Sequence, residues 1–231
     1  MDFNKQNVDD LATQLAEEIV VGKAHDPSKS LLPAHAESER IKGDVLTSLN
    51  SHFLSVANGL DLLLDRLETM LDADSPLVDP QAYEELLQKL STSGAAGEEG
   101  LFALSDQELK ILLAAAIDLY NQQEFNQAGD AFYVLTVFEP TRPLFWKCLG
   151  NAKFFDKKFK EAHDAYEMAI KIDPHDPECY IYLARCLQNE GREREAIDKL
   201  QQATDLIGQD PHFASWKEQV TLFTEELKKN K

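Results

Sequence analysis

The chain has 231 residues and a formal net charge of −18, from 41 acidic against 23 basic side chains. A charge of this sign argues against nucleic acid and anionic membrane surfaces as partners. No apolar run is long enough to span a bilayer, and the N-terminal stretch, acidic at Asp9, Asp10, Glu17 and Glu18, holds no apolar core of a secretory signal. We therefore expect a cytoplasmic protein without stable membrane insertion.

The first part of the chain, residues 1–100, is predicted to be a helical extension. A long helix over about residues 38–71 carries apolar side chains at alternating spacings of three and four, the heptad pattern with which helices pack knobs into holes. Two interpretations stay open: the seam packs on the protein's own C-terminal half, or it pairs two subunits as a homodimer. The second interpretation assigns self-association to the seam residues Leu49, Phe53, Val56, Leu60, Leu63 and Leu67.

Two breaks follow the long helix. The first, Ser75–Pro80, is interpreted as a proline-rich break between helices, with Asp79 and Pro80 as the cap and first turn of a helix through residue 90. A less favoured alternative is that this extended segment occupies a binding groove of the chain itself. The second break, residues 91–100, has the composition of a flexible linker, and we place the domain boundary there.

The C-terminal half is organised by three alanines, Ala128, Ala162 and Ala196, at an interval of 34 residues. Counted within each unit, they occupy position 20. Position 8 is also small in every unit and position 24 is large: the residues are Ala116, Gly150 and Ala184 at position 8, and Phe132, Tyr166 and Leu200 at position 24. This period and pattern are typical of tetratricopeptide (TPR) repeats, which are stacked helix hairpins. The predicted units are 109–142, 143–176 and 177–210.

Both ends of the repeat array carry helix signals. Ser105 and Glu108 form a capping box before the first repeat helix. Pro211 begins a last helix, to about residue 229, whose apolar face can cover the exposed end of the core. The expected fold is all-α: a TPR solenoid of three helix hairpins within 101–231, with a C-terminal capping helix over 211–229 and the N-terminal helical extension.

The sequence contains no constellation typical of catalysis. Its histidines lack metal-ligand spacing, no glycine-rich loop is available to cradle a phosphate, and Cys148, Cys179 and Cys186 form no Cys-x-x-Cys pair. We expect no enzymatic activity, no metal site and no cofactor.

Stacked hairpins form a concave groove lined by the first helix of each unit, where positions 2, 5, 9, 12 and 13 face inward. These positions are apolar and aromatic in the first two units and more polar in the third, which suits an extended peptide with apolar anchors. An open alternative is that Leu113, Ile117 or Phe154 are buried under the N-terminal helices. The predicted groove residues are Leu113, Ile117, Tyr120, Leu144, Lys147, Asn151, Phe154, Ile181, Arg185 and Gln188.

A second kind of TPR groove, the carboxylate clamp of co-chaperones that bind acidic C-terminal tails, is disfavoured. That clamp uses lysine at position 5 and asparagine at position 9 of the first unit. This chain has Leu113 and Ile117 there, so a carboxylate would meet an apolar wall.

The arrangement of the repeats resembles the class II chaperones of bacterial type III secretion, the LcrH/SycD group. The resemblance is carried by residues 112–120, 124–128, Phe132, 143–150 and 159–162, and it covers about residues 105–228. In that family, apolar and tyrosine side chains at positions 5, 9 and 12 of the first repeat form pockets, and these positions match Leu113, Ile117 and Tyr120. Typical members have about thirty residues before the first repeat, so this chain is nearest to an unusually long member, as in the chlamydiae.

The resemblance implies a function without catalysis in the bacterial cytoplasm. Family members hold hydrophobic translocator proteins, with an extended segment in the concave groove, and so keep them soluble and competent for secretion. The expected partners are therefore one or more secreted translocators, with a homodimer possible. The alternative from another class is a TPR scaffold or adaptor that joins proteins in an assembly.

Overall fold

The structure is a computed structural model that describes residues 55–73, 75–93 and 104–229. The chain divides into two compact units, Met1–Asp61 and Leu62–Lys231. In the first unit the described residues, 55–61, are helical. The first part of the predicted long helix lies outside the described residues, and so do residues 94–100 of the predicted linker.

Helices account for all the regular structure in the described ranges. The first, α1, covers residues 55–72. The others are α2 (Pro80–Ser93), α3 (Asp106–Asn121), α4 (Phe125–Phe138), α5 (Pro143–Phe155), α6 (Phe159–Ile172), α7 (Pro177–Asn189), α8 (Glu193–Gln209), a 3-10 helix (Pro211–Trp216) and α9 (Lys217–Lys229). Helix α2 continues three residues beyond the predicted end at residue 90, into the stretch predicted as linker.

The three predicted repeats are the hairpins α3–α4, α5–α6 and α7–α8, and the predicted TPR solenoid is confirmed. Position 15 adopts a left-handed backbone conformation in each hairpin turn, with φ of 63° at Gln123, 64° at Lys157 and 75° at Gly191. The same turn geometry therefore joins the two helices of each unit, although only the third unit uses glycine, the residue that adopts this conformation without steric cost.

Helix starts follow from local chemistry. The predicted capping box is present: the Ser105 side chain accepts from the Glu108 amide, and the Glu108 carboxylate accepts from the Ser105 amide. Helices α5 and α7 begin with Pro143 and Pro177, where the missing N–H costs no helical hydrogen bond. Sequence spacing and helix-end residues thus explain where these helices begin.

The core of the solenoid is formed by the repeated positions. The three alanines at position 20 are wholly buried. At position 8 of the second unit, a Cβ on Gly150 would lie 2.7 Å from the Tyr166 ring, so the tyrosine at position 24 requires glycine there. The aromatic residue at position 4 ties neighbouring units together: Trp146 Nε1 donates to the Pro140 carbonyl over 2.8 Å, and the Tyr180 hydroxyl donates to the Pro174 carbonyl over 3.1 Å.

Position 11 of the second unit is unusual because it carries a buried lysine. The Lys153 ammonium lies 3.3 Å from carboxylate oxygens of both Asp130 and Glu161. The lysine stem passes Gly129, where an added Cβ would approach it to 3.0 Å. The glycine thus makes room for the stem, and the charged end reaches two carboxylates at the edge of the core.

Helices α1 and α2 of the second unit pack against the first repeat. The Arg66 guanidinium pairs with Asp118 of α3, with Nε 2.6 Å from Oδ2. Lys89 of α2 donates to the buried Glu108 carboxylate over 2.8 Å. Helix α2 and the part of α1 that belongs to the second unit therefore contact the first repeat.

The proline-rich segment between α1 and α2 is a turn. Val78 is buried, and the Asp79 side chain accepts from the Gln81 amide over 3.0 Å, as predicted for the start of α2. Asp79 also accepts from Gln107 at the beginning of α3. These contacts belong to a connection between helices.

The C-terminal cap departs from the single predicted helix. Residues Pro211–Trp216 form a 3-10 helix, and the α-helical part begins only at Lys217. The Asp210 side chain caps the first turn by accepting from the His212 amide over 2.9 Å. Beyond this turn, α9 buries Val220, Phe223 and Leu227 in the same core as the third repeat.

Candidate functional site

The concave side of the repeats exposes large apolar side chains. Among the described residues, the exposed large apolar side chains are Leu77, Ile117, Leu144, Phe155 and Leu222. Three of them, Ile117, Leu144 and Phe155, occupy positions 9, 2 and 13 of the first two repeats, which are predicted to face inward. Exposed apolar area on the inner helices is costly in water and is typical of a surface that binds a partner.

Aromatic rings form a continuous wall beside these residues. The Phe155 ring stacks on Phe125 with centroids 5.4 Å apart, and Tyr120 meets Phe155 edge to face at 6.0 Å. Phe154 contacts Phe155 at 5.6 Å and Tyr182 of the third repeat at 5.3 Å. Mutually packed rings have few rotamers left to lose, so an apolar ligand can bind them at low entropic cost.

Tyr120 belongs to both the groove and the core. Its ring lies 6.5 Å from that of Phe132, which is buried in the first repeat. Burial raises the pKa of Tyr120 to about 12, so the hydroxyl stays protonated and can donate a hydrogen bond. Replacing Tyr120 by alanine would therefore weaken the core as well as the groove.

Leu113 and Phe154 are half-buried in the structure, in contrast to the exposed Ile117. For Ile117, the alternative of burial under the N-terminal helices is therefore not what the structure shows. Phe155 was predicted to face the groove but is absent from the predicted set of site residues, and Phe125, which stacks on it, was not predicted. Position 13 was the available signal for Phe155, whereas Phe125 follows the hairpin turn, where groove positions are not expected.

The polar residues predicted for the second repeat are bonded within the protein. Lys147 Nζ lies 2.8 Å from Asp176 Oδ2 and 3.1 Å from Glu178 Oε2. Although burial lowers it, the pKa of Lys147 is raised overall by these two carboxylates. The side-chain oxygen Oδ1 of Asn151 accepts a hydrogen bond from the Tyr166 hydroxyl over 2.6 Å. Lys147 is thus already neutralised, which further disfavours a carboxylate clamp.

Ile181 was predicted to line the groove, and the structure corrects this. Its side chain is 1% exposed and belongs to the core that α9 shares with the third repeat. At the same repeat position, Leu113 is half-buried in the first unit. The difference arises because the core of the last repeat is completed by the capping helix, which has no counterpart in the repeat period.

The other predicted residues of the third repeat, Arg185 and Gln188, line a cavity of about 270 Å³. The rest of its wall comes from α9: Gln219, Leu222, Phe223 and Glu226. Sequence reasoning assigned α9 only to covering the core. The missed signal is Leu222, an apolar residue that lies off the buried face made by Val220, Phe223 and Leu227.

The heptad seam is largely covered within the chain. Leu60, Leu63 and Leu67 are buried, and Val56 is half-buried. Leu49 and Phe53 lie outside the described residues. Side chains that are wholly covered in a single chain cannot present a surface to a second subunit in this conformation. Internal packing is thus the better interpretation for Leu63 and Leu67, and self-association through the rest of the seam stays a prediction.

Reactive groups are few in the described part of the chain. The three cysteines are free thiols, and burial raises the pKa of Cys148 to about 11 and that of Cys186 to about 12, so thiolate is scarce at neutral pH. No cluster of three or more potential metal ligands occurs within residues 55–73, 75–93 and 104–229. None of the helices in these ranges is long and apolar enough to cross a membrane.

Known proteins resemble this chain in its repeats and in its fold. A model of the tetratricopeptide repeat family matches residues 156–220. The chain is 24% identical over 153 residues to the low calcium response locus protein H of Yersinia pseudotuberculosis serotype I (strain IP32953), a match that covers 66% of this chain and 90% of the relative.

Two solved structures share the fold. The type III secretion chaperone SycD of Yersinia enterocolitica, solved in complex with a peptide of the translocator YopD, is 25% identical, with a TM-score of 0.53 over 55% of this chain and 96% of SycD. The CopN–Scc3 complex contains a chain with 18% identity and a TM-score of 0.51, which covers 72% of this chain and 98% of that one. The predicted resemblance to the class II chaperones is confirmed.

Proposed function

We propose that this chain is a cytoplasmic chaperone of bacterial type III secretion that binds an extended segment of a hydrophobic translocator protein in its concave groove. Binding would cover the apolar segment, and so keep the translocator soluble and competent for secretion. The chaperone acts by shielding and carries out no reaction. A second copy of the chain is a further partner in this proposal.

The observation that carries the proposal is the exposure of Ile117, Leu144 and Phe155 on the inner helices of a fold shared with translocator chaperones. An extended client can place apolar side chains against these residues and the neighbouring aromatic wall. Burial of one such anchor contributes about 1.5–3 kcal/mol. Few anchors are therefore enough to hold a client that must later be released.

The polar residues of the groove determine which client it accepts. Lys147 carries no free charge toward an acidic tail, because Asp176 and Glu178 already neutralise it. The aromatic wall favours branched or aromatic client side chains over charged ones. This selectivity matches a client whose exposed apolar segments would otherwise aggregate.

The proposal is tested by co-expressing the chain with a translocator from the same organism and measuring how much translocator co-purifies. Ile117→Asp should lower capture at least tenfold, because a client anchor would be buried against a charge. The control is Leu77→Asp, which changes a more exposed apolar residue on the turn before α2 and should leave capture unchanged. Both variants should keep the helical circular dichroism and melting temperature of the parent. Full capture by a folded Ile117→Asp variant would refute the groove assignment.

A further inference from the structure

The cavity between α7 and α9 differs chemically from the apolar end of the groove. Its volume is about 270 Å³, and its wall combines one cation, one anion, two amides and two apolar side chains. Neither the repeat pattern nor the aromatic wall of the first two repeats accounts for this mixture. The residues are Arg185, Gln188, Gln219, Leu222, Phe223 and Glu226.

Arg185 is held in place by aromatic rings. Its guanidinium carbon lies 5.7 Å from the centroid of the Tyr182 ring and 5.5 Å from that of the Phe223 ring. Cation–π contacts of this kind fix the plane of the guanidinium and the direction of its N–H groups. The positive charge is thus preorganised at the wall of the cavity.

The Arg185 side chain has hydrogen-bonding capacity that the protein leaves unused. Within the described part of the chain no carboxylate pairs with it, and its buried Nε–H has no acceptor. The Nε–H is covered by the protein, whereas the terminal N–H groups of the guanidinium, which have no acceptor among the described residues, can donate to an oxygen that an occupant of the cavity brings. The occupant of the cavity should therefore present an oxygen to Arg185.

The remaining wall identifies the oxygen as neutral. Glu226 lines the same cavity, so a carboxylate ligand would face a carboxylate there. Gln188 and Gln219 can each donate and accept, and Glu226 accepts. A peptide main chain offers carbonyl oxygens and N–H groups together, which matches donors and acceptors of both kinds. Leu222, 60% exposed, adds apolar surface for a side chain beside that main chain.

We propose that α7 and α9 form a further subsite of the groove, which binds one aliphatic residue of an extended peptide. Arg185 donates to a main-chain carbonyl, and Leu222 and Phe223 contact the aliphatic side chain. The capping helix is then a wall of the binding site as well as a cover for the core. The identity of this peptide as a client segment rests on the proposed function, whereas the chemistry of the subsite does not.

The test is a titration of the full chain followed by NMR, with N-acetyl-leucine N-methylamide as the probe. This molecule carries one carbonyl–amide unit on each side of an aliphatic side chain. The Nε–H signal of Arg185, assigned by its loss in Arg185→Lys, should shift and saturate at millimolar probe. N-acetyl-glycine N-methylamide, which lacks the side chain, should bind several-fold more weakly, and sodium acetate should cause no saturable shift.

Matched variants separate the two parts of the subsite. Arg185→Met keeps an unbranched apolar stem between Tyr182 and Phe223 but removes every hydrogen-bond donor of the side chain. It should weaken probe binding about tenfold. The affinity is measured from the NMR signals of the Gln188 and Gln219 side-chain amides. Leu222→Ser should weaken it several-fold, while Leu77→Ser, an equally exposed leucine that does not line the cavity, should leave it unchanged.

Three results would overturn the subsite: no saturable shift with the leucine probe, equal saturation by acetate, or unchanged affinity in a folded Arg185→Met variant. Acetate binding would identify an anion site instead. The probe titration does not depend on the translocator capture experiment, which compares Ile117→Asp with Leu77→Asp. Capture with no probe response rejects the subsite alone, and a probe response without translocator capture rejects the proposed function alone.

Discussion

Position 20 of the repeat is alanine in all three units, whereas position 5 is Leu113, Lys147 and Ile181 in turn. The three alanines have the same environment, wholly buried where the two helices of a hairpin meet. The position 5 side chains have three different environments: one is half-buried, one is paired with carboxylates, and one lies in the core shared with α9. Core positions thus have neighbours that repeat, while groove positions depend on whichever element lies next.

The same comparison explains where substitution should be most damaging. A core position is enclosed by side chains of its own repeat and of neighbouring elements, so added volume has no space to enter. A groove position is bounded on one side by solvent or by a ligand. Changes in the core should therefore alter stability, and changes in the groove should alter binding.

The largest effect is expected from Gly150→Val, which adds volume at position 8 of the second unit. A Cβ there would lie 2.7 Å from the Tyr166 ring, and that ring cannot move freely because it is buried and its hydroxyl is bonded to Asn151. We expect the free energy of unfolding to fall by about 3 kcal/mol, measured by urea denaturation.

Gly208→Val in α8 is the control for this variant. A Cβ at Gly208 meets nothing within 4 Å, so stability should be unchanged or slightly higher, since glycine is a poor helix former. If both variants lost equal stability, the cause would be the helix backbone, and the role assigned to Tyr166 would be wrong.

An intermediate effect is expected from Lys153→Met, which makes a charged core position apolar. The lysine is buried, but its ammonium lies as far as 3.3 Å from the oxygens of Asp130 and Glu161, both of which are exposed. Because such a pair recovers little of the cost of burying a charge, the free energy of unfolding should stay the same or rise by up to about 1 kcal/mol. If the free energy of unfolding instead falls by more than about 1 kcal/mol, measured by thermal or urea unfolding, the ion pairs are needed for stability.

The smallest effect concerns Glu108, where α2 meets the first repeat. Burial raises its pKa, but the bonds from Lys89 and Ser105 outweigh this and lower it overall. A carboxyl group whose pKa is lower in the folded state stabilises the protein above its usual pKa, 4.5, and this stabilisation is lost as the pH falls through the lowered value. Glu108→Gln should therefore cost about 0.5 kcal/mol at pH 7 and progressively less toward pH 3.

Urea denaturation of the parent and Glu108→Gln proteins across this pH range measures the difference. Lys89→Met serves as a companion variant, because it removes the main partner and should bring the pH dependence of the parent closer to that of Glu108→Gln. A difference between parent and Glu108→Gln that grew on acidification would contradict the direction of the pKa shift.

The sequence by itself determined the repeat architecture. The period of 34, the small residues at positions 8 and 20, and the capping box before α3 predict the three hairpins and their ends, and the structure confirms them. This was possible because a helix hairpin is specified by local residues, and a repeat places the same neighbours around each of them. The inward orientation of Ile117 and Leu144 could likewise be predicted from their repeat positions.

Only the tertiary structure decided how the groove residues are used. Ile181 is buried because α9 contributes to the same core, and Lys147 is neutralised by Asp176 and Glu178 at the start of α7. Arg185 is fixed by an aromatic ring of α7 and another of α9. The burial and charge of a groove side chain depend on elements distant in sequence, and α9 and the N-terminal helices lie outside the repeat period. No periodic pattern could therefore have specified these contacts.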